Sequence, residues 1–103
     1  MKLKRYETGQ VQLRGSTTIM GVLYRVAIEI KPPPAEQEAT VCDQAIFCLV
    51  GAVEVVGNLS KGPSALRLVA ALQAARREIP VRVLRIIVKG PDEMAEWQST
   101  EDA

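Results

Sequence analysis

From Met20 to Lys31 the chain alternates without a break. Met20, Val22, Tyr24, Val26, Ile28 and Ile30 interleave with Gly21, Leu23, Arg25, Ala27, Glu29 and Lys31. A period of two is that of a strand with one buried face. Residues 10–14 pattern the same way, and the intervening Gly15-Ser16-Thr17-Thr18 has the composition of a turn. A turn centred on Ser16-Thr17 sets Val11 against Val22 and Leu13 against Met20, so turn and pattern predict a single hairpin register.

Pro32-Pro33-Pro34 ends the second strand, and Pro is accepted in the first turn of a helix. Over the next segment the period changes. On a helical wheel Glu36, Thr40, Asp43, Gln44, Gly51, Glu54, Asn58 and Lys61 share an arc of about 100°, with only Phe47 intruding. Apart from Gln37 and Glu38, the rest of the circumference is apolar. One helix from Ala35 to Asn58 accounts for this. The alternative breaks it at Gly51 and makes Ala52-Val53-Glu54-Val55-Val56 a short strand.

Gly57, Asn58, Gly62 and Pro63 mark a helix end and a new start. Ala65, Leu68, Val69, Leu72, Ala75 and Ile79 then form an apolar helical stripe as far as Pro80. Residues 81–89 are apolar on both faces and predict a further strand.

These elements predict an α+β fold in two layers, a three-stranded antiparallel sheet on two helices in the order ββααβ. The strand alternative at residues 52–56 would give ββαβαβ. The domain spans residues 1–90, and residues 91–103 read as an acidic, flexible C-terminal tail. Its five acids, Asp92, Glu93, Glu96, Glu101 and Asp102, meet no Lys or Arg and give it a charge of −5. The near-neutral total of +1 therefore conceals a body of +6. Asymmetry of this kind suits a basic contact surface beside an acidic tail.

Composition narrows the chemistry. The chain has 103 residues and no His, which removes the commonest general base and metal ligand together. Cys42 and Cys48 lie six apart on the predicted helix, pointing different ways, and read as core residues. Glu36, Asp43 and Glu54 share a helix face but are spread too far along it to act as an acid/base pair. No catalytic set, metal site or cofactor site is expected, so the protein is not expected to be an enzyme. Gly57 to Ser64 has the two glycines of a phosphate loop, but Pro63 stands where that loop requires Lys. Ser60, Lys61, Gly62 and Ser64 remain as a weak anion-site candidate at a helix N-terminus.

The outer face of the sheet carries the stronger signal. Arg14, Leu23, Arg25, Val83, Arg85, Ile87 and Lys89 would combine cations with aliphatics on one surface. Aliphatics interleaved with Arg suit protein contact. The wide apolar arc of the first helix exceeds what so small a sheet can cover, so self-association is expected to bury the surplus. The function expected is a small non-enzymatic regulatory or assembly module acting as a homo-oligomer, with a protein partner not specified. The alternative is nucleic-acid binding through the basic sheet face, modulated by the acidic tail. With no signal segment and no membrane span expected, the location expected is the cytoplasm.

Overall fold

The computed structural model describes residues 9–58 and 62–100, together with the backbone of residues 2–5. Five strands form one antiparallel sheet in chain order: β1 (Lys2–Arg5), β2 (Val11–Ile19), β3 (Val22–Ile30), β4 (Val83–Lys89) and β5 (Met94–Gln98). Between β3 and β4 the chain makes α1 (Glu38–Gly57) and α2 (Ala65–Ala75). A 3-10 turn at Ala35–Gln37 leads into α1, and another at Arg76–Glu78 leaves α2. The α+β class with an antiparallel sheet and two helices stands. The strand count and order change, from three strands in ββααβ to five in βββααββ.

The continuous helix over residues 38–57 excludes the ββαβαβ alternative. Val41, Ala45, Leu49, Ala52 and Val56 recur every three or four residues and form its buried face. They meet Leu68, Val69 and Leu72 of α2 in one core with alternate residues of the sheet, Leu13, Val26, Ile28, Ile86 and Val88 among them. Gly15 contributes no side chain to this layer. Beside it a cavity of about 250 Å³ lies between β2 and α1, lined by Thr17, Val26, Leu49, Val53 and Leu72 as well.

The hairpin turn falls elsewhere than the composition of residues 15–18 suggests. That stretch continues β2, whose β-branched Thr17 and Thr18 suit a strand. The chain reverses at Met20-Gly21, so Val11 pairs with Ile30, Leu13 with Ile28 and Ile19 with Val22. Met20 has φ 52° and Gly21 φ 80°, as a two-residue hairpin turn with two left-handed positions requires. Met is poorly suited to that conformation. Its side chain is 75% exposed and packs on little. Met20→Asn should therefore raise stability by about 0.5–1 kcal/mol, read as a higher urea midpoint at unchanged slope.

Two corrections follow from β4 and β5. Arg85 pairs with Glu29 but Val83 pairs with Ile30, so Leu84 is an extra residue, a bulge. The bulge inverts the alternation, and Val83 turns from the outer face into the core at 5% exposure. Secondly, residues 94–98 of the segment read as a tail form an edge strand on β4, with Trp97 opposite Ile86. Residues 101–103 of that segment lie outside the described residues.

Candidate functional site

The two faces of the protein differ in chemistry. On the outer face of the sheet the register brings together most of the cations read from the sequence. Arg14, Ala27, Ile87 and Glu96 form one cross-strand row; Ser16, Arg25, Lys89 and Met94 form another. Gln12, Glu29, Arg85 and Gln98 form a third row. Leu23 is exposed beside Thr18, and Val83 is absent from this face for the reason given.

Arg85 is committed within the protein. Its Nε donates to Glu96 Oε1 at 2.8 Å, and its Nη1 lies 3.8 Å from Glu29 Oε1. The hydrogen bond to Glu96, assisted by the charges of Glu96 and Glu29, outweighs desolvation and raises the guanidinium pKa above its ordinary value. Glu29 also accepts from Gln12 Nε2 at 3.2 Å. β5 thus adds a carboxylate that was assigned to a tail, and the face is less basic than residues 81–89 alone suggested. Arg25 and Lys89 are cross-strand neighbours of like charge.

The anion-site candidate before α2 fares differently. Ser60 and Lys61 lie outside the described residues. Ser64 is the N-cap, its Oγ accepting from Arg67 N at 3.1 Å, and the Gly62 carbonyl accepts from Arg67 Nη1 at 2.7 Å. Glu93 Oε1 accepts from Ala65 N at 2.7 Å. The helix start therefore already holds a carboxylate, supplied by the turn between β4 and β5.

Glu93 also accepts a hydrogen bond from the Tyr24 hydroxyl. Burial, followed by the charge and hydrogen bond of Glu93, pushes the Tyr24 pKa above its ordinary 10.0. The folded chain thus holds the phenolic proton more tightly than the unfolded chain does. Stability from this group is fully present below pH 10 and falls as pH rises through the folded value. Tyr24→Phe should flatten that alkaline loss in denaturant titrations run from pH 9 to 11, about the unfolded value.

The helical layer exposes several large apolar side chains. Phe47 is 81% exposed, Val55 61% and Val50 52%. Along this side runs an open groove of about 800 Å³. Small residues line it, Gly51 and Ala52 from α1 and Ala71, Ala74 and Ala75 from α2, with Asp43, Glu54 and Glu78 among its acidic lining. Phe47, the one apolar intruder in the polar arc, is thus the most exposed large side chain of the layer. Cys42 and Cys48 are free and half-buried. Burial pushes both thiols up, with Glu38 and Asp43 adding to it at Cys42 and Glu78 at Cys48, so neither is primed as a nucleophile. Among the described residues no group of three His, Cys, Asp or Glu side chains could hold a metal ion.

By length and composition, the helical stretch Ala35–Gly57 is apolar enough to cross a membrane. Here one side of it is packed into the core. Compared with protein-family models, curated proteins and solved structures, the chain matches none.

Proposed function

We propose that the protein is a non-enzymatic module of regulatory or assembly type that works through protein contacts and pairs with a second copy of itself along α1. The observation that carries this is the exposure of Phe47, Val50 and Val55 in a helix already packed on its other side. An apolar patch of this kind marks an interaction site.

The order of residues supports a second copy as occupant. Thr40, Gln44, Phe47, Gly51, Val55 and Asn58 fall in an arc of about 80° on the helix, away from its buried face. About Gly51 the stripe is self-complementary. Phe47 and Val55 lie four residues to either side, and Gln44 and Asn58 seven. An antiparallel pairing with its two-fold axis at Gly51 sets Phe47 of each copy on Val55 of the other and Gln44 on Asn58. Such self-complementarity is what a two-fold contact demands. Gly51 has no neighbouring atom where its Cβ would stand, so the helices can approach closely there.

The two-fold also places the same flank of both helices side by side, bringing Asp43 and Glu54 of the two copies along one edge. Salt screens that repulsion, so the dimer should tighten as salt is raised. Nucleic-acid binding through Arg25 and Lys89 would weaken over the same range. The acidic flank likewise favours a protein partner over an anionic lipid surface. A cytoplasmic location accompanies the proposal, with both thiols kept reduced.

Light scattering after size exclusion tests it: a mass of twice 11.2 kDa at micromolar concentration is expected, held or strengthened at high salt. A mass of 11.2 kDa across that range would overturn it.

A further inference from the structure

We infer that the hairpin end of the outer sheet face docks an acidic segment of a partner protein, a peptide whose carboxylates alternate with large apolar side chains. This surface lies on the side of the sheet away from both helices, so it stands or falls independently of the pairing along α1.

The β2–β3 hairpin outruns β4, whose last residue, Lys89, stands opposite Arg25. On the far side of Lys89 is Met94 of β5. Toward the hairpin tip follow Leu23 and then Met20 in the turn itself. Met20, Leu23 and Met94 are all exposed. Two cations thus sit among three large apolar side chains. From Arg25 to Met20 the strand runs about 17 Å, the length of a short peptide.

The two cations are electrostatically unmatched. As cross-strand neighbours they repel one another. Among the described residues no ion pair engages either of them, whereas Arg85, farther along β4, holds Glu96 and lies near Glu29. The positions around the pair are all described: Ser16 on β2, Ala27 and Ile87 in the next row, Met94 on β5, and the turn from Gly90 to Glu93. A carboxylate brought by a partner relieves the repulsion, and Arg25 can take it with both limbs of its guanidinium.

Met20 is a second, independent sign. Its left-handed φ of 52° costs the hairpin stability, and its exposed side chain returns little of that to the fold. Unfavourable backbone geometry retained at an exposed position points to use. Methionine is flexible and polarizable, which suits a surface that moulds to a partner, and Met94 repeats the device across the sheet.

The pattern of charge selects the class of partner. A nucleic acid or an anionic bilayer presents negative charge throughout, and would meet Glu29 and Glu96 on this face and Asp92 at its end together with the cations. Among the described residues the face also has no aromatic side chain on which a base could stack. A peptide can set its carboxylates against Arg25 and Lys89 alone and its apolar residues against Leu23 and Met94.

The test selects a random dodecapeptide phage library on the immobilised full chain and measures the enriched peptides by fluorescence anisotropy. Enriched sequences should alternate Asp or Glu with Leu, Ile, Met or Phe. The double variant Arg25→Glu, Lys89→Glu should weaken them about tenfold or more while keeping its circular dichroism, since both positions are exposed. Met20→Asn should weaken them about threefold even as it stabilises the fold, an opposition that a purely structural role does not produce. Phe47→Glu should leave their binding unchanged. The inference is overturned by a selection that enriches nothing or enriches peptides without acids. It is equally overturned by an affinity that neither Met20→Asn nor the charge reversal moves, or by a single-stranded oligonucleotide or phosphatidylserine vesicle that binds more tightly than the selected peptides.

Discussion

Phe47→Glu should convert the proposed dimer to a folded monomer. The side chain is 81% exposed in the single chain, so the core loses nothing by its removal. In the proposed dimer the same position would be buried twice, once from each copy. Burying a large apolar side chain contributes about 2 kcal/mol, so losing two weakens association about a thousandfold. Placing Glu there adds like charge beside Asp43 and Glu54. Light scattering should report 11.2 kDa for the variant, with the far-ultraviolet spectrum and the unfolding slope of a native chain. If Phe47 served only the folded monomer, the variant would instead lose stability and leave the mass unchanged. Val55→Glu should act in the same way, since Val55 is the proposed partner of Phe47 across the two-fold.

Glu93→Ala should cost about 3 kcal/mol of folding free energy, a large share of what a domain of this size commands. Glu93 lies in the turn between β4 and β5, in a segment whose composition suggests a solvated tail. Its carboxylate accepts from Ala65 N at 2.7 Å and from the Tyr24 hydroxyl. Tyr24 is 3% exposed, so the truncation leaves a buried hydroxyl and a helix-terminal amide without their acceptor. Gly90 sits against the same ring; a Cβ there would meet Tyr24 Cε1 at 3.1 Å. Urea unfolding of Glu93→Ala, Tyr24→Phe and the double variant should show coupling, because the two side chains share one hydrogen bond. A Glu93→Ala midpoint equal to wild type would mean that the β4–β5 turn is not anchored to α2.

The helical half of the fold was legible because burial alone decides it. Val41, Ala45, Leu49, Ala52 and Val56 keep helical spacing through Gly51, and a glycine costs a helix only about 1 kcal/mol. The sheet was harder, since three of its features depend on partners and not on pattern. Met20 hides the hairpin turn, because a methionine gives no sign of φ 52°. Gly15 through Thr18, with turn composition, pair with Val26 through Leu23 and extend the strand instead. The bulge at Leu84 places Val83 inside, and a run apolar on both faces from Val81 to Lys89 gives no sign of the shift. β5 escaped notice for a related reason. Met94, Glu96 and Gln98 are exposed, and only Ala95 and Trp97 lean on the core.

The candidate surfaces divide along the same lines. The surplus of apolar surface on α1 followed from counting positions on the wheel, and Phe47 stood out there as the exception. The basic sheet face was overestimated because Glu96 could not be placed beside Arg85 without β5.

Cysteine cross-linking tests the two-fold at Gly51 most directly. In a chain with Cys42 and Cys48 replaced by alanine, Gly51→Cys sets each new thiol against its own copy. A disulfide needs Cα atoms roughly 4.4–6.8 Å apart, which only residues near the axis satisfy. Gln44→Cys in the same background is the control: seven residues from the axis, its two copies stand about 20 Å apart along the helices. Mild oxidation should link Gly51→Cys into covalent dimers in high yield, leave Gln44→Cys unlinked, and join Gln44→Cys to Asn58→Cys when the two are mixed. Equal linking of Gly51→Cys and Gln44→Cys, or none at Gly51→Cys, would contradict an antiparallel pairing along α1.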